Sequence, residues 1–287
     1  MDKASSATKV AYPVETAEAT TMAKFSDRVV LITGASAGIG EGTALHFAKH
    51  GAKLSLTGRD KTRLEDVAKR CSECGIPADD ILTLSGDLTD EAFRKATIEK
   101  TVAKFARLDV LVNNAGMLYP GPSMTMDGSK YDQMMDLNMR VPFQLSQLAV
   151  PHLEKTQGNI VNVSSICGAK SMPEIGIYCV SKAALDMFTQ CLALELAPKK
   201  VRVNSVNPGT VVSMIHRREG TSFHDKDDEY AKFLEQQAGR HPLGRVGQPQ
   251  DVAESIAYLA SDAASFVTGQ LIFIDGGRHC VCAGVSK

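Results

Sequence analysis

The chain of 287 residues is 44% hydrophobic and 23% charged, the composition of a globule long enough to bury a large core. Its 32 basic and 33 acidic side chains leave a net charge of -1, which gives no electrostatic footprint for nucleic acid or an anionic membrane. Purely apolar runs reach only about four residues, as in Val29-Val30-Leu31-Ile32, against the roughly 18 that a spanning helix needs.

Residues 1–25 lack periodicity, an apolar targeting segment and any arginine. They are expected to form a disordered extension before one domain spanning 26–287. Seven cysteines, an odd number at spacings that make no disulfide framework, point to reduced thiols and a cytoplasmic protein. From Val29 onward, β-branched runs predict seven strands, over 29–33, 54–57, 81–84, 110–113, 160–164, 201–206 and 271–274. Stretches with helical spacing lie between most of them, for example 39–50, 91–105 and 178–196. Asp60 and Asp90 stand where small polar caps open helices, and Gly51 and Gly75 where helices stop. Strand and long helix in alternation imply parallel strands with right-handed crossovers. Strands apolar on consecutive residues imply a sheet covered on both faces. No repeat, charge block or linker divides the chain. The expected fold is α/β: a single doubly wound domain on a seven-stranded parallel sheet with helices on both faces.

The first strand runs into Thr33-Gly34-Ala35-Ser36-Ala37-Gly38-Ile39-Gly40 and then a helix. Glycines let this backbone take positive φ and approach an anion without a Cβ, while the helix aims its free N–H groups at the same point. A tight turn packing helix on strand accounts for the same glycines, and the loop alone leaves both readings open. Tyr178 and Lys182 are four apart and share a helix face, where an ammonium would lower a phenol's pKa from about 10. Ser165 follows the fifth strand, placed to polarise a substrate oxygen. Pro142 has no N–H, so the carbonyl of Asn138 loses its helical donor and is free to hold a water that starts a proton relay beside Lys182.

Thr33-Gly34-x3-Gly38-Ile39-Gly40 resembles the fingerprint of the short-chain dehydrogenase/reductase family. Asp87-Leu88, Asn113-Asn114-Ala115-Gly116, Asn138, Ser165, Tyr178-x3-Lys182 and Asn207-Pro208-Gly209 follow in the family's order, so the resemblance covers residues 25–280. It implies a Rossmann-type oxidoreductase that interconverts a ketone and a secondary alcohol by hydride transfer. Asn138, Ser165, Tyr178 and Lys182 would be its catalytic set, with Tyr178 as general acid/base. The resemblance places the coenzyme on Gly34, Ser36, Gly38, Ile39, Gly40, Asp87, Leu88, Asn114, Ala115 and Gly116. It continues over Tyr178, Lys182, Pro208, Gly209, Val211 and Ser213.

NAD-preferring members usually carry Asp where this chain has Thr57. Thr57-Gly58-Arg59 resembles the NADP-preferring ones, with Arg59 on the 2′-phosphate and Asp60 turned to the helix it caps. NADP is therefore expected over NAD. The alternatives are an NAD-dependent steroid, retinoid or hydroxyacyl dehydrogenase, and a coenzyme-binding scaffold without turnover. Relatives use the final helix and strand to assemble, which implies a homotetramer or homodimer.

His46 and His50, with no third ligand, are expected to face solvent, and no metal site is expected. Cys71 and Cys74 read as ordinary thiols at a helix end. The polar stretch 214–245 breaks the strand–helix rhythm, and the resemblance implies a lid there. Its Arg217-Arg218 pair is open between contact with an anionic substrate and a solvated loop. The expected partner is a small carbonyl or alcohol substrate, and no nucleic acid.

Overall fold

The computed structural model describes residues 25–217 and 221–281. Residues 1–24 of the expected extension lie outside them, but Phe25 does not belong to a tail. Its ring is buried edge-on against Phe47 at 4.8 Å, and its N–H donates to the His50 carbonyl at 2.9 Å. The domain therefore begins one residue earlier than its β-branched pattern suggested.

Seven parallel strands form one sheet in the order β3-β2-β1-β4-β5-β6-β7. They are β1 (Val29–Thr33), β2 (Lys53–Gly58), β3 (Ile81–Ser85), β4 (Val110–Asn113), β5 (Asn159–Val163), β6 (Arg202–Pro208) and β7 (Leu271–Ile274). The main departure from the pattern is β6, which runs on to Pro208 because Asn207 and Pro208 still pair with Phe273 and Ile274.

Eight helices follow in chain order: α1 (Gly38–Lys49), α2 (Lys61–Glu73), α3 (Glu91–Phe105), α4 (Gly128–Met135), α5 (Val141–Thr156), α6 (Gly176–Leu196), α7 (Asp227–Ala238) and α8 (Pro249–Ala260). Val30 and Ile32 of β1 pack with α1, α2 and α8, whereas Val29 and Leu31 pack with α3, α5 and α6. Consecutive apolar residues are thus needed because the two sheet faces are both covered. Among the described residues, no helix is long and apolar enough to cross a membrane.

His46 corrects the expectation of a solvent-facing histidine. It is only 7% exposed, wedged between α1 and α8, with Nδ1 at 2.8 Å from the Gln250 amide. Burial, together with the neighbouring His50, pulls its pKa down to about 4. Helix packing won over the polar character of the residue, because the partner amide lies more than 200 residues away in sequence.

The chain order of strands reverses between β1 and β4, and the loops leaving β1, β4, β5 and β6 open on one cavity of about 1180 Å³.

Candidate active site

The glycine turn is shaped by contacts that exclude side chains. Gly34 and Gly38 hold φ of 65° and 59°. A Cβ on Gly40 would come within 2.3 Å of the Gly34 carbonyl oxygen and 2.5 Å of Asn114 Nδ2. Asn114 is what closes the turn: its Nδ2 donates to the carbonyls of Thr33 at 2.7 Å and Gly34 at 3.2 Å. Thr33 answers by accepting the N–H groups of Asn114 and Ala115 on its hydroxyl, both at 2.9 Å. That stapling role of Thr33 was missed in the sequence, where it stood only as the first letter of a motif. Ala37 precedes α1 without a side-chain cap, so the first-turn N–H groups of that helix are left for an anion. A diphosphate fits this bare, glycine-lined helix start.

Across the cavity, Tyr178 and Lys182 project from the first turns of α6. Tyr178 and Ser165 line the cavity together, and the Lys182 Nζ lies 5.7 Å from the phenol ring centroid. Lys182 donates to the Val163 carbonyl at 2.9 Å. Burial pushes the phenol above its ordinary pKa, and the nearby Ser165 hydroxyl opposes that rise. Burial likewise pulls the ammonium down to about 8, with Asp186 acting against it.

Asp186 was not singled out in the sequence. It sits one turn beyond Lys182 and accepts from Asn207 Nδ2 at 3.1 and 2.9 Å. The same amide donates to the Ser165 carbonyl at 3.0 Å, so Asn207 fixes the serine's backbone from behind. Its i+4 spacing from Lys182 was the available signal.

Asn138 does not reach the cavity. It is fully buried, Oδ1 accepting from the Met117 N–H at 2.8 Å and Nδ2 donating to the Met117 carbonyl at 2.9 Å and to Ser181 at 3.0 Å. The helix widens to a π turn over Asp136–Arg140, where Val141 donates to the Asp136 carbonyl, just before Pro142. The side chain therefore clamps the loop after β4 beside the catalytic helix: a Cβ on Gly116 would lie 3.3 Å from Asn138 Oδ1 and 3.6 Å from Lys182 Nζ.

The expected catalytic and coenzyme residues divide. Gly34, Ile39, Asn114, Ala115, Gly116, Ser165, Tyr178, Lys182, Pro208, Gly209, Val211 and Ser213 line the main cavity. Ser36 and Gly38 line an adjoining cleft, which Ser213 also reaches. Gly40, Arg59, Asp87 and Leu88 line neither. Leu88 is core, packed with Ile98 and Leu108, so it offers a ligand only backbone. Asp87 spends Oδ1 on the N–H and hydroxyl of Thr89, both at 2.9 Å. Asp60 caps α2 by accepting from the Arg63 N–H at 3.0 Å, while Arg59 stands exposed at the end of β2.

In the polar stretch, Tyr230 of α7 ties down Ser213: its hydroxyl accepts from the Ser213 N–H at 3.2 Å and donates to its carbonyl at 3.0 Å. Arg217 pairs with Asp227 and lies over the face of Tyr230. Arg218 lies outside the described residues.

Residues 34–279 match the family model described as enoyl-(acyl carrier protein) reductase. The chain is 39% identical over 256 residues to the 3-oxoacyl-[acyl-carrier-protein] reductase of Thermotoga maritima, covering 88% of this chain and 98% of that one. The protein belongs to the short-chain dehydrogenase/reductase family. L-fucose dehydrogenase of Bos taurus is 32% identical over 258 residues, covering 89% of this chain and 91% of that protein. A cofactor-bound short-chain dehydrogenase/reductase of unknown function from Caenorhabditis elegans superposes with a TM-score of 0.85 at 34% identity, covering 90% of this chain and 97% of the other. This short-chain dehydrogenase/reductase is accordingly an oxidoreductase acting on CH–OH groups with a nicotinamide coenzyme.

Proposed function

We propose that this protein reduces ketones to secondary alcohols with NADPH, and that Tyr178 delivers the proton. The observation that carries the reading is that Ser165, Tyr178 and Lys182 line one cavity together, with the Lys182 Nζ 5.7 Å from the phenol ring centroid. The coenzyme supplies hydride to the carbonyl carbon. Ser165 donates to the carbonyl oxygen and stabilises the charge that develops there. Tyr178 then gives its proton to that oxygen, and the charged Lys182 beside it favours the phenolate left behind. Asn138 acts on this set by holding the Met117 backbone and Ser181, as a positioning residue.

The N–H groups after Gly34 hold the diphosphate, with Ser36, Gly38, Ile39 and Gly40 forming its cradle. Arg59, exposed beside Gly58, takes the ribose 2′-phosphate together with Ser36, whose Oγ stands 3.0 Å from where a Cβ on Gly58 would be. Asp87 and the Leu88 backbone edge the adenine, Asn114 to Gly116 back the nicotinamide ribose, and Pro208, Gly209, Val211 and Ser213 face the carboxamide. A second copy covers Val180, Met187 and Leu194, an exposed apolar stripe at seven-residue spacing along α6, in a homodimer or homotetramer. The odd cysteine count supports work in the reducing cytoplasm.

A panel of ketones read by NADPH absorbance, with NADH in parallel, tests the proposal. Higher kcat/KM with NADPH supports it, as does a Tyr178→Phe enzyme that still binds nucleotide but turns over about 1000-fold more slowly. Equal rates with NADH overturn the role of Arg59, and undiminished turnover in Tyr178→Phe overturns that of the phenol.

A further inference from the structure

The main cavity is lined by four cations, Lys170, Lys182, Arg240 and Arg278, and by no aspartate or glutamate among the described residues. The chain as a whole carries a net charge of -1, so this sorting is local. Lys182 serves the phenol. The other three come from the loop after β5, the segment after α7 and the turn after β7, none of them part of the glycine turn. Cys167, two residues beyond Ser165, lines the same cavity as Tyr178 and Arg278.

Arg278 is half-buried, with Nη1 donating to Thr210 Oγ1 at 2.6 Å and no carboxylate within 4 Å among the described residues. The nearest acid in sequence, Asp275, spends its oxygens on the Gly277 N–H at 3.1 Å and on the His279 N–H and Nδ1 at 2.6 and 2.8 Å. Burial, with Arg240 adding to it, holds the guanidinium below its usual pKa, and the more distant charge of Asp275 only partly offsets this. Lys170 donates to the carbonyls of Arg278 and Val281 at 3.3 and 2.9 Å, pinning the turn that carries the arginine. Buried Gln237 lines the same wall beside Arg240.

We infer that the carbonyl substrate is an oxo acid whose carboxylate pairs with Arg278, with Arg240 completing the cationic wall. A planar guanidinium already held on one side by Thr210 presents its remaining donors in the fork that matches a carboxylate. The inference rests on the reductase reading of the same site.

The test compares a graded set of short oxo acids, each against its own primary amide, with NADPH at neutral pH. The acid is expected to exceed its amide in kcat/KM by about a hundredfold. Arg278→Gln brings that ratio toward one, chiefly through KM for the acid, and Arg278→Lys restores part of it. If Arg278→Gln does not fold, the acid-to-amide ratio of the unaltered protein still decides. Neutral ketones reduced as fast as the acids, or a ratio unmoved in Arg278→Gln, overturn the inference while leaving the reductase standing. Failure to reduce any carbonyl overturns both.

Discussion

The loops leaving β1 and β4 and those leaving β5 to β7 face one cavity, yet they are built differently. The first pair is backbone work: glycines without Cβ, an uncapped helix start, and Asn114 and Thr33 satisfying each other's main-chain groups. The second group is side-chain work, with Tyr178, Ser165, Lys182 and Arg278 aimed inward and supported by Asn207, Asp186 and Thr210. A nucleotide diphosphate is the same in every substrate complex, so fixed backbone serves it. Substrate chemistry is set by groups that replacement can change one at a time, without rebuilding a turn.

Five replacements can break or sharpen that contrast. Gly40→Ala drives a Cβ into the Gly34 carbonyl, and strain of about 3 kcal/mol should weaken nucleotide binding roughly a hundredfold. Isothermal titration with NADPH reads it, and unchanged affinity would mean the cradle yields easily. Removing the staple with Asn114→Ala leaves the Thr33 and Gly34 carbonyls without that donor and should cost about 2 kcal/mol in urea unfolding. Little change there would show that water replaces the amide.

Each half also holds a histidine pulled to about 4 by burial, His46 behind the cradle and His216 in the cavity wall. The unfolded chain binds those protons at higher pH, so stability must fall as pH drops from about 6.5 to about 5, on the order of 2 kcal/mol per histidine. His46→Gln and His216→Gln should each reduce that slope in denaturant titrations at several pH values. A slope that survives both replacements contradicts the burial account. Smallest is Asp60→Ala: loss of the α2 cap should lower stability by about 1 kcal/mol without altering the NADPH-to-NADH preference. A change in that preference would place Asp60 at the ribose after all.

The glycine turn, the seven strands and the Tyr178–Lys182 pair were legible because each depends on a local period or a spacing within one element. Asp60 was legible as a cap for the same reason, since its acceptor reaches only three residues onward. The hold of the Asn138 side chain on Met117 was not legible, because that partner lies across a loop and the helix widens to a π turn that no short-range pattern announces. His46 was misread through Gln250, and Arg278 passed unnoticed because its meaning lies in Thr210 and in a cavity wall without acids among the described residues.

The order of residues along the chain determined the alternation of strand and helix, the doubly covered sheet and the bare turn that suits a diphosphate. Folding alone decided which buried groups meet: Asn114 with Thr33 across 81 residues, Asn207 with Ser165 across 42, and Arg278 with Thr210 across 68. Backbone conformation answers to neighbours a few residues away, whereas desolvation and charge answer to whatever the packed interior brings near.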